Sequence, residues 1–461
     1  MLKFPFSLLS CPNCKGVLQL SQEAQLQCSS CLTCYSIFQG APWLFPVPDQ
    51  ALGFWRDNLM LHIQQIDSEV LAIKNSCDQA DILPSQKTRL KKWAEAKKEF
   101  ARSLERILSP LSSDSNPSID VSIALRDTIP MTQRLGSYLD NVFRDWSWGD
   151  ENGENKESLA ILLELLKDTP PPEKLIVLGA GACRLAYDLH RAKNIGQTLV
   201  SDINPLYLFL AQDIISGGIK SLHEFPISPI DGKSFFVRRE LKSPEPLNDN
   251  FYFVFADGMN PPFQAAAFDC LLTPWFIDIV PQDPRTLFKR FNFLLEPGGI
   301  WLNFGSCYFN HPDFARRYSP EEILQIAEDS GFKITQTVNK KLPYLQNPAS
   351  GHGRIEQTLS FIAKKVRDVV QPPKYSYLPE WLLDPSKPIP VSPVFTQFAA
   401  VHGFYTQVVS AIDGQTSLET MAKTLGPKFG LTEKDGINSF GRFLTKIYET
   451  GLVFHGSGPL K

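Results

Sequence analysis

The chain has 461 residues, 43% of them apolar and 21% charged, an ordinary globular profile that is long for one core, so two or three domains are expected. A formal charge of −3 and a pI near 6.2 leave no overall basic footprint, which argues against nucleic acid as the main partner. No apolar run reaches membrane-spanning length, the opening MLKFPFSLLSCPNC is too short and too quickly interrupted for a signal peptide, and nine partly clustered cysteines suggest a metal site plus buried thiols in a reducing, cytoplasmic setting.

Cys11-Pro12-Asn13-Cys14 and Cys28-Ser29-Ser30-Cys31 are two CxxC knuckles around a short alternating strand, Gly16 to Leu20. Four thiolates on two such turns suit tetrahedral zinc, with Cys34 as a spare that could replace Cys31. With Tyr35, Ile37, Gly40, Pro42 and Leu44 behind them, residues Leu8 to Phe45 resemble the small zinc ribbon found as a free methyltransferase-activating protein and fused to methyltransferases. The resemblance implies a structural metal held by Cys11, Cys14, Cys28 and Cys31.

Residues 52 to 108 read as helical. Leu90, Trp93, Ala94, Ala96, Phe100, Leu104 and Leu108 share one face, and the lysines and arginines between them form a solvated one. Ser109 to Ser122 reads as a loop. The segment from Met131 to Leu166, with Gln133, Arg134, Arg144 and Trp146, ends in a helix from Lys156 and could lid a ligand site.

Leu175 to Leu178 is a strand, followed by Gly179-Ala180-Gly181, a helical pattern, a second strand at Thr198 to Val200 and then Asp202. A glycine turn brings the backbone close to a ligand, and the free N–H groups of the helix behind it face the same spot. An acid after the second strand can hold ribose hydroxyls. A turn that merely packs strand on helix is the plain alternative. Arg184 stands where the third glycine of a dinucleotide fingerprint would be, and no GK[ST] follows, so NAD and a nucleoside-triphosphate loop are both disfavoured.

A helix from Leu206 to Ile215 comes next, then a long excursion, then buried strands at Phe251 to Phe255 and Phe268 to Thr273. The first ends in Asp257-Gly258, and the second delivers Pro274-Trp275-Phe276-Ile277-Asp278. A helix from Pro284, a Glu296-Pro297-Gly298-Gly299 turn and a strand at Ile300 to Phe304 follow. Ser319-Pro320-Glu321-Glu322 is a capping box with proline at N1. Residues 332–338 and 357–364 read as a final antiparallel pair. Alternating strands and helices with acids at the strand ends describe an α/β doubly wound sheet whose crevice lies along those ends. The whole resembles a seven-stranded class I S-adenosylmethionine-dependent methyltransferase. Beyond it lies a proline-rich linker, 369–393, and a small helical tail. There Thr416 with Glu419 reads as a capping box, Thr432 starts a long helix, and a short strand is expected after Gly451. The tail is similar in pattern to a winged helix and to peptide-recognition modules, which implies a peptide or protein partner. The expected domains are thus 1–50, 51–168, 169–368, 369–393 and 394–461.

Phe143-Arg144-Asp145-Trp146-Ser147, the GAGACRLA turn, Ala256-Asp257, Trp275-Phe276-Ile277-Asp278 and Glu296 to Asn303 together resemble the carnosine N-methyltransferase family over about residues 80 to 365. That family methylates a ring nitrogen of histidine in a dipeptide. The resemblance implies that Gly179, Gly181 and Arg184 shape a methionine pocket, Asp202 holds ribose, Asp257 with Gly258 meets adenine, Arg144 reaches the cofactor carboxylate, and Asp278 binds the imidazole. The family's Tyr-His pair after strand five is represented only by the shifted candidates Tyr308 and His311, and His352, Gly353 and Arg354 stand where it has tyrosines. The expectation is therefore a methyltransferase acting on an imidazole in a peptide, a protein or another small histidine-derived compound. RNA methylation with the ribbon as RNA grip, and a non-catalytic scaffold, remain as alternatives.

Overall fold

The computed structural model describes residues 4–21, 25–111, 134–149, 153–311, 313–373 and 386–449. Met131 to Gln133 of the expected lid, most of the Ser109–Ser122 loop, residues 374–385 of the proline-rich stretch and the strand expected after Gly451 lie outside these. The chain divides into two compact units, Met1–Lys74 with Leu83–Tyr377, and Asn75–Ile82 with Leu378–Lys461.

In the first unit the elements run β1 (Leu18–Leu20), β2 (Leu26–Cys28), β3 (Cys34–Tyr35), β4 (Ile37–Phe38), β5 (Ala41–Leu44), α1 (Pro48–Ser76), α2 (Pro84–Ile107), α3 (Leu139–Trp146) and α4 (Glu154–Leu165). They continue with β6 (Lys174–Leu178), α5 (Arg184–Lys193), β7 (Gln197–Asp202), α6 (Pro205–Ile215), β8 (Lys220–Glu224), β9 (Val237–Leu241), β10 (Phe251–Ala256) and β11 (Phe268–Pro274). The last are α7 (Pro284–Leu294), β12 (Leu295–Phe304), α8 (Pro320–Asp329), β13 (Phe332–Val338), β14 (Lys341–Tyr344), β15 (Arg354–Gln357) and β16 (Ser360–Lys365).

The central strands are apolar on both sides because both faces are covered. Successive side chains go to opposite faces. Leu175 and Val177 of β6 join Ala186 and Leu189 of α5 and Leu206 and Leu210 of α6 in one core. Ile176 and Leu178 join Leu287, Phe288 and Phe291 of α7 and Ile323 of α8 in the other. The result is a mixed sheet between helical layers, the α/β arrangement expected from the sequence. Its order is β13-β16-β12-β11-β6-β7-β10-β5-β4. β12, β11, β6, β7 and β10 are parallel, and β16 runs antiparallel to β12 and β13. The order reverses direction between β6 and β11, and the carboxyl ends there form a crevice.

The sheet has nine strands among the described residues rather than seven. The extra pair, β4 and β5, comes from the stretch assigned above to the ribbon. All four residues of β5 are buried, and Trp43 packs on Phe45 and Phe255. A strand with no solvated face belongs inside a sheet, and β5 pairs in parallel with β10. The remainder of that stretch forms a separate antiparallel sheet, β1-β2-β3. Two hairpins, β8–β9 and β14–β15, lie in stretches to which the sequence reading assigned no element. The Glu296–Gly299 turn is a bulge within β12, where the register jumps between Phe268↔Leu295 and Cys270↔Ile300.

The second unit holds α9 (Pro393–Ser410), α10 (Leu418–Leu425) and α11 (Glu433–Glu449), with Val408, Met421, Ala422 and Phe440 buried together. Ser417, not Thr416, caps α10 by accepting from Thr420 N–H. Thr416 instead binds Asp413 through its N–H and hydroxyl.

Candidate active site

A cavity of about 610 Å³ opens at the carboxyl ends of the central strands. Its walls include Arg144, Gly179, Gly181, Arg184, Asp202, Asp257, Gly258, Asp278 and Tyr308. Nine of the ten residues assigned above to cofactor and chemistry thus converge on one space. His311 is the exception. Its Nδ1 accepts the Asp313 N–H at 3.0 Å and its carbonyl accepts from Arg317 Nε at 2.7 Å, so a local turn holds it away from the cavity.

The glycine turn follows from backbone geometry. Gly179 and Gly181 have φ of +66° and +54°, the left-handed region where glycine is at no disadvantage. Asp202, at the end of β7, accepts Gly181 N–H at 2.8 Å and Asn204 N–H at 2.9 Å, which ties the turn to the neighbouring strand. The two glycines serve different ends. A Cβ on Gly181 would meet nothing within 4 Å, whereas one on Gly179 would stand 2.3 Å from Phe276 Cδ2. A Cβ on Gly258 would stand 2.7 Å from Phe276 Cζ. Gly181 therefore leaves open space for a ligand, while Gly179 and Gly258 make room for the Phe276 ring between the two turns.

Asp202 and Asp257 both have their carboxyls pushed up by burial, each partly offset by backbone N–H donors. For Asp257 the donor is Met259 N–H at 2.8 Å. Arg144 grips Asp145. Arg184 bonds Asp188 and the Asp145 carbonyl, the latter at 2.7 Å, and its guanidinium lies 5.5 Å from the Trp146 ring centre. Both arginines line the cavity while bracing the end of α3.

At the other end β11 delivers Trp275 in a left-handed conformation, φ +50°, uncommon for a bulky residue and typical of strained functional turns. Its N–H donates to Phe304 O at 2.6 Å. That turn aims Asp278 into the cavity. Oδ2 accepts from Ser306 Oγ at 2.6 Å and from Tyr308 N–H at 2.9 Å. Among the described residues Oδ1 is buried with no partner, an acceptor without a donor in a site built to be polar. Burial raises the Asp278 carboxyl, against the pull of these two donors. Tyr308 is 71% exposed.

Sequence reasoning missed Tyr138, Asn141, Glu154, Tyr344 and Glu356, and gave Arg354 no role, although all line the same cavity. Tyr344 and Arg354 sit opposite one another on the β14–β15 hairpin. The hairpin is held from behind. Glu154 accepts Leu345 N–H at 3.0 Å and Gln346 N–H at 2.7 Å, and Asn347 donates to the buried Glu224 at 2.8 Å. Tyr344 packs on Trp275 with ring centres 4.7 Å apart.

Away from the cavity, the Sγ atoms of Cys11, Cys14, Cys28 and Cys31 lie within 4.8 Å of one another. Cys11 and Cys31 are 3.6 Å apart, and Cys14 and Cys28 are 3.4 Å apart. Metal–sulfur bonds of about 2.3 Å in a tetrahedron put sulfurs roughly 3.8 Å apart, so the donor set fits one such ion. Cys28 Sγ also accepts the Ser30 and Cys31 N–H groups. Cys34 is exposed and outside the cluster, with its thiol donating to Leu32 O.

No family model matches the chain. It is 25% identical over 212 residues to the Drosophila melanogaster protein carnosine N-methyltransferase unmet, covering 42% of this chain and 45% of that one. It is 23% identical over 229 residues to the carnosine N-methyltransferase of Mus musculus, covering 44% and 55%. Among solved structures it is similar to the N-methyltransferase NodS from Bradyrhizobium japonicum WM9 in complex with S-adenosyl-L-homocysteine, at 14% identity, 47% and 90% coverage and a TM-score of 0.32. The chain spans about half the length of the curated relatives it matches, and its likeness to carnosine N-methyltransferases holds at that low identity over that half.

Proposed function

We propose that the chain is an S-adenosylmethionine-dependent N-methyltransferase whose acceptor is the ring nitrogen of an imidazole. One observation carries the reading: Asp278 Oδ1 is a buried acceptor with no partner among the described residues, in the wall of the same cavity as the glycine turn, Asp202 and Asp257. The residues present suit the cofactor. Open space over Gly181 offers room for the methionine portion near Arg144 and Arg184, Asp202 is available to ribose hydroxyls, and Asp257 with Gly258 to the adenine. Bound there, the cofactor supplies an electrophilic methyl group on a sulfonium sulfur.

What the chain does is hold the acceptor. Imidazole offers a lone pair only when neutral, and an unperturbed pKa of about 6.5 leaves it mostly neutral at pH 7. Asp278 Oδ1 accepts the far ring N–H. That fixes the tautomer with the near nitrogen unprotonated, and it stabilises the imidazolium that methylation creates, the role an orienting aspartate plays beside a histidine base. Catalysis is otherwise positioning, with Tyr308, Tyr344 and Tyr138 as further walls. The four cysteines hold one structural zinc, since protein thiolates fill every position, and the helical tail serves a peptide or protein partner.

The test is incubation of the full chain with S-adenosylmethionine and, in parallel, imidazole compounds, histidine-containing peptides and an RNA pool, followed by mass spectrometry. A 14 Da gain on an imidazole nitrogen supports the reading. Methylation confined to RNA overturns it.

A further inference from the structure

Among the described residues, two cavity-lining side chains carry a buried polar atom with no hydrogen-bond partner. One is the Asp278 carboxylate, an acceptor. The other is the Tyr207 hydroxyl. Buried polar groups are satisfied as a rule, and one left bare costs the fold its lost hydration. Tyr207 lies in the first turn of α6, where Leu206, Leu208, Phe209 and Leu210 are all buried. The side chain itself is 6% exposed and packs in the same core. A phenylalanine would fill that place without the penalty, so the oxygen is what needs a reason.

Its place in the wall supplies one. The turn that leads into α6 is fixed at both ends. Asp202 accepts the Asn204 N–H, Asn204 Oδ1 caps the helix by accepting the Leu206 N–H at 3.0 Å, and Asn204 Nδ2 donates to Leu135 O at 3.2 Å. Tyr207 is thus held in a rigid frame close behind Asp202. Burial holds its phenol well above the ordinary value, and of the groups whose charge adds to this Asp202 acts most strongly, ahead of Tyr138, Asp140 and Tyr344. The phenol therefore stays protonated and able to donate. Asp202 gives Oδ2 to the Gly181 N–H and Oδ1 to the Asn204 N–H, and each oxygen keeps room for a second donor. An ionised carboxylate only accepts. A sugar hydroxyl that donates to Asp202 has lone pairs that Asp202 cannot serve, and a neighbouring O–H donor can.

We infer that Tyr207 is a cofactor-binding residue whose hydroxyl donates to a ribose hydroxyl of S-adenosylmethionine, one that itself donates to Asp202. The inference rests on the cofactor reading above. Acid and phenol together match a group that both gives and takes a hydrogen bond. A site built in this way discriminates against a sugar that lacks the group, because its own polar atoms are then left unpaired.

The test is titration calorimetry of the full chain and of Tyr207→Phe with S-adenosyl-L-homocysteine, which keeps the ribose and lacks the reactive methyl, and with the two analogues that each lack one ribose hydroxyl. Thermal melts of the ligand-free proteins accompany it. Tyr207→Phe should bind S-adenosyl-L-homocysteine roughly threefold to tenfold more weakly, the range of one neutral hydrogen bond. For one of the two analogues, wild type and variant should bind alike, because the group that accepts from Tyr207 is already gone. The ligand-free variant should melt at the wild-type temperature or above it, since an unpaired buried group has been removed. Unchanged affinity for S-adenosyl-L-homocysteine, the same loss on it and on both analogues, or a lower melting temperature of the ligand-free variant would overturn the assignment while leaving the cofactor reading standing. Failure of the wild type to bind S-adenosyl-L-homocysteine would overturn both.

Discussion

Burial works against Asp278 as a charge and for it as an acceptor. Its carboxyl is raised above the ordinary carboxylate value by desolvation. A raised acid contributes to stability while protonated, below its unfolded pKa, and that contribution is lost as pH rises through the folded value. At pH 7 the ionised group opposes folding. Asp278→Asn should therefore raise the melting temperature at pH 7, and the gain should shrink as the pH is lowered through the raised value towards the ordinary carboxylate one. Turnover of the same variant should fall by about 100-fold or more with cofactor affinity unchanged. Thermal melts, titration calorimetry and steady-state kinetics read the three effects. A gain in stability without a loss of turnover would remove Asp278 from the chemistry. In the wild type, protonation of Asp278 and of a free imidazole act in the same direction, so activity should fall on the acid side.

Phe276 gives a second residue-scale prediction. Gly258 is not in the left-handed region, yet its Cβ would stand 2.7 Å from the Phe276 ring. Gly258→Ala should cost about 1–3 kcal/mol by overpacking and weaken cofactor binding. Adding Phe276→Leu should recover both, as thermal melts and calorimetry would show. Failure of the double variant would mean that the glycine serves the ligand directly.

Among elements, those covered on both faces were legible in the sequence. LIVL and FYFVF become strands because continuous apolar runs fit a sheet buried between helices, and acids directly after them fall at the crevice by chain geometry alone. The two hairpins were not legible. VRREL and RIEQ carry charge on exposed positions and have no apolar face to announce them. The missed cavity residues come from α3, α4 and that second hairpin, segments joined only by tertiary folding. Asp202 needed only its own strand. His311 misled because a match of residue types two or three positions out of place says nothing about which way a local turn faces. The cysteine cluster leads to its own test: metal analysis should find about one zinc per chain. Cys14→Ser should lose it and lower the melting temperature of the first unit, because the segment that carries the cysteines runs directly into strands β4 and β5 of the main sheet. A metal-free chain that melts normally would refute the site.

At the scale of the molecule, the chain divides into two compact units, and the cofactor reading concerns one of them. A ligand that binds only the native cavity stabilises by about 2.7 kcal/mol at a hundred times its Kd, and the cavity lies wholly within the first unit. S-adenosylmethionine should move the first unit's calorimetric transition upward. Absence of any shift in the first unit's transition would contradict the cofactor assignment.

The pairing of β5 with β10 joins Leu44 to Ala256. During synthesis Leu44 leaves the ribosome long before Ala256 does, by roughly ten to forty seconds at ordinary elongation rates of 5–20 residues per second. For that interval an entirely apolar edge strand waits without its neighbour, the kind of segment on which nascent chains aggregate. The four thiols emerge just ahead of it, and a metal clasped there would tether and compact the exposed segment until the rest of the sheet arrived.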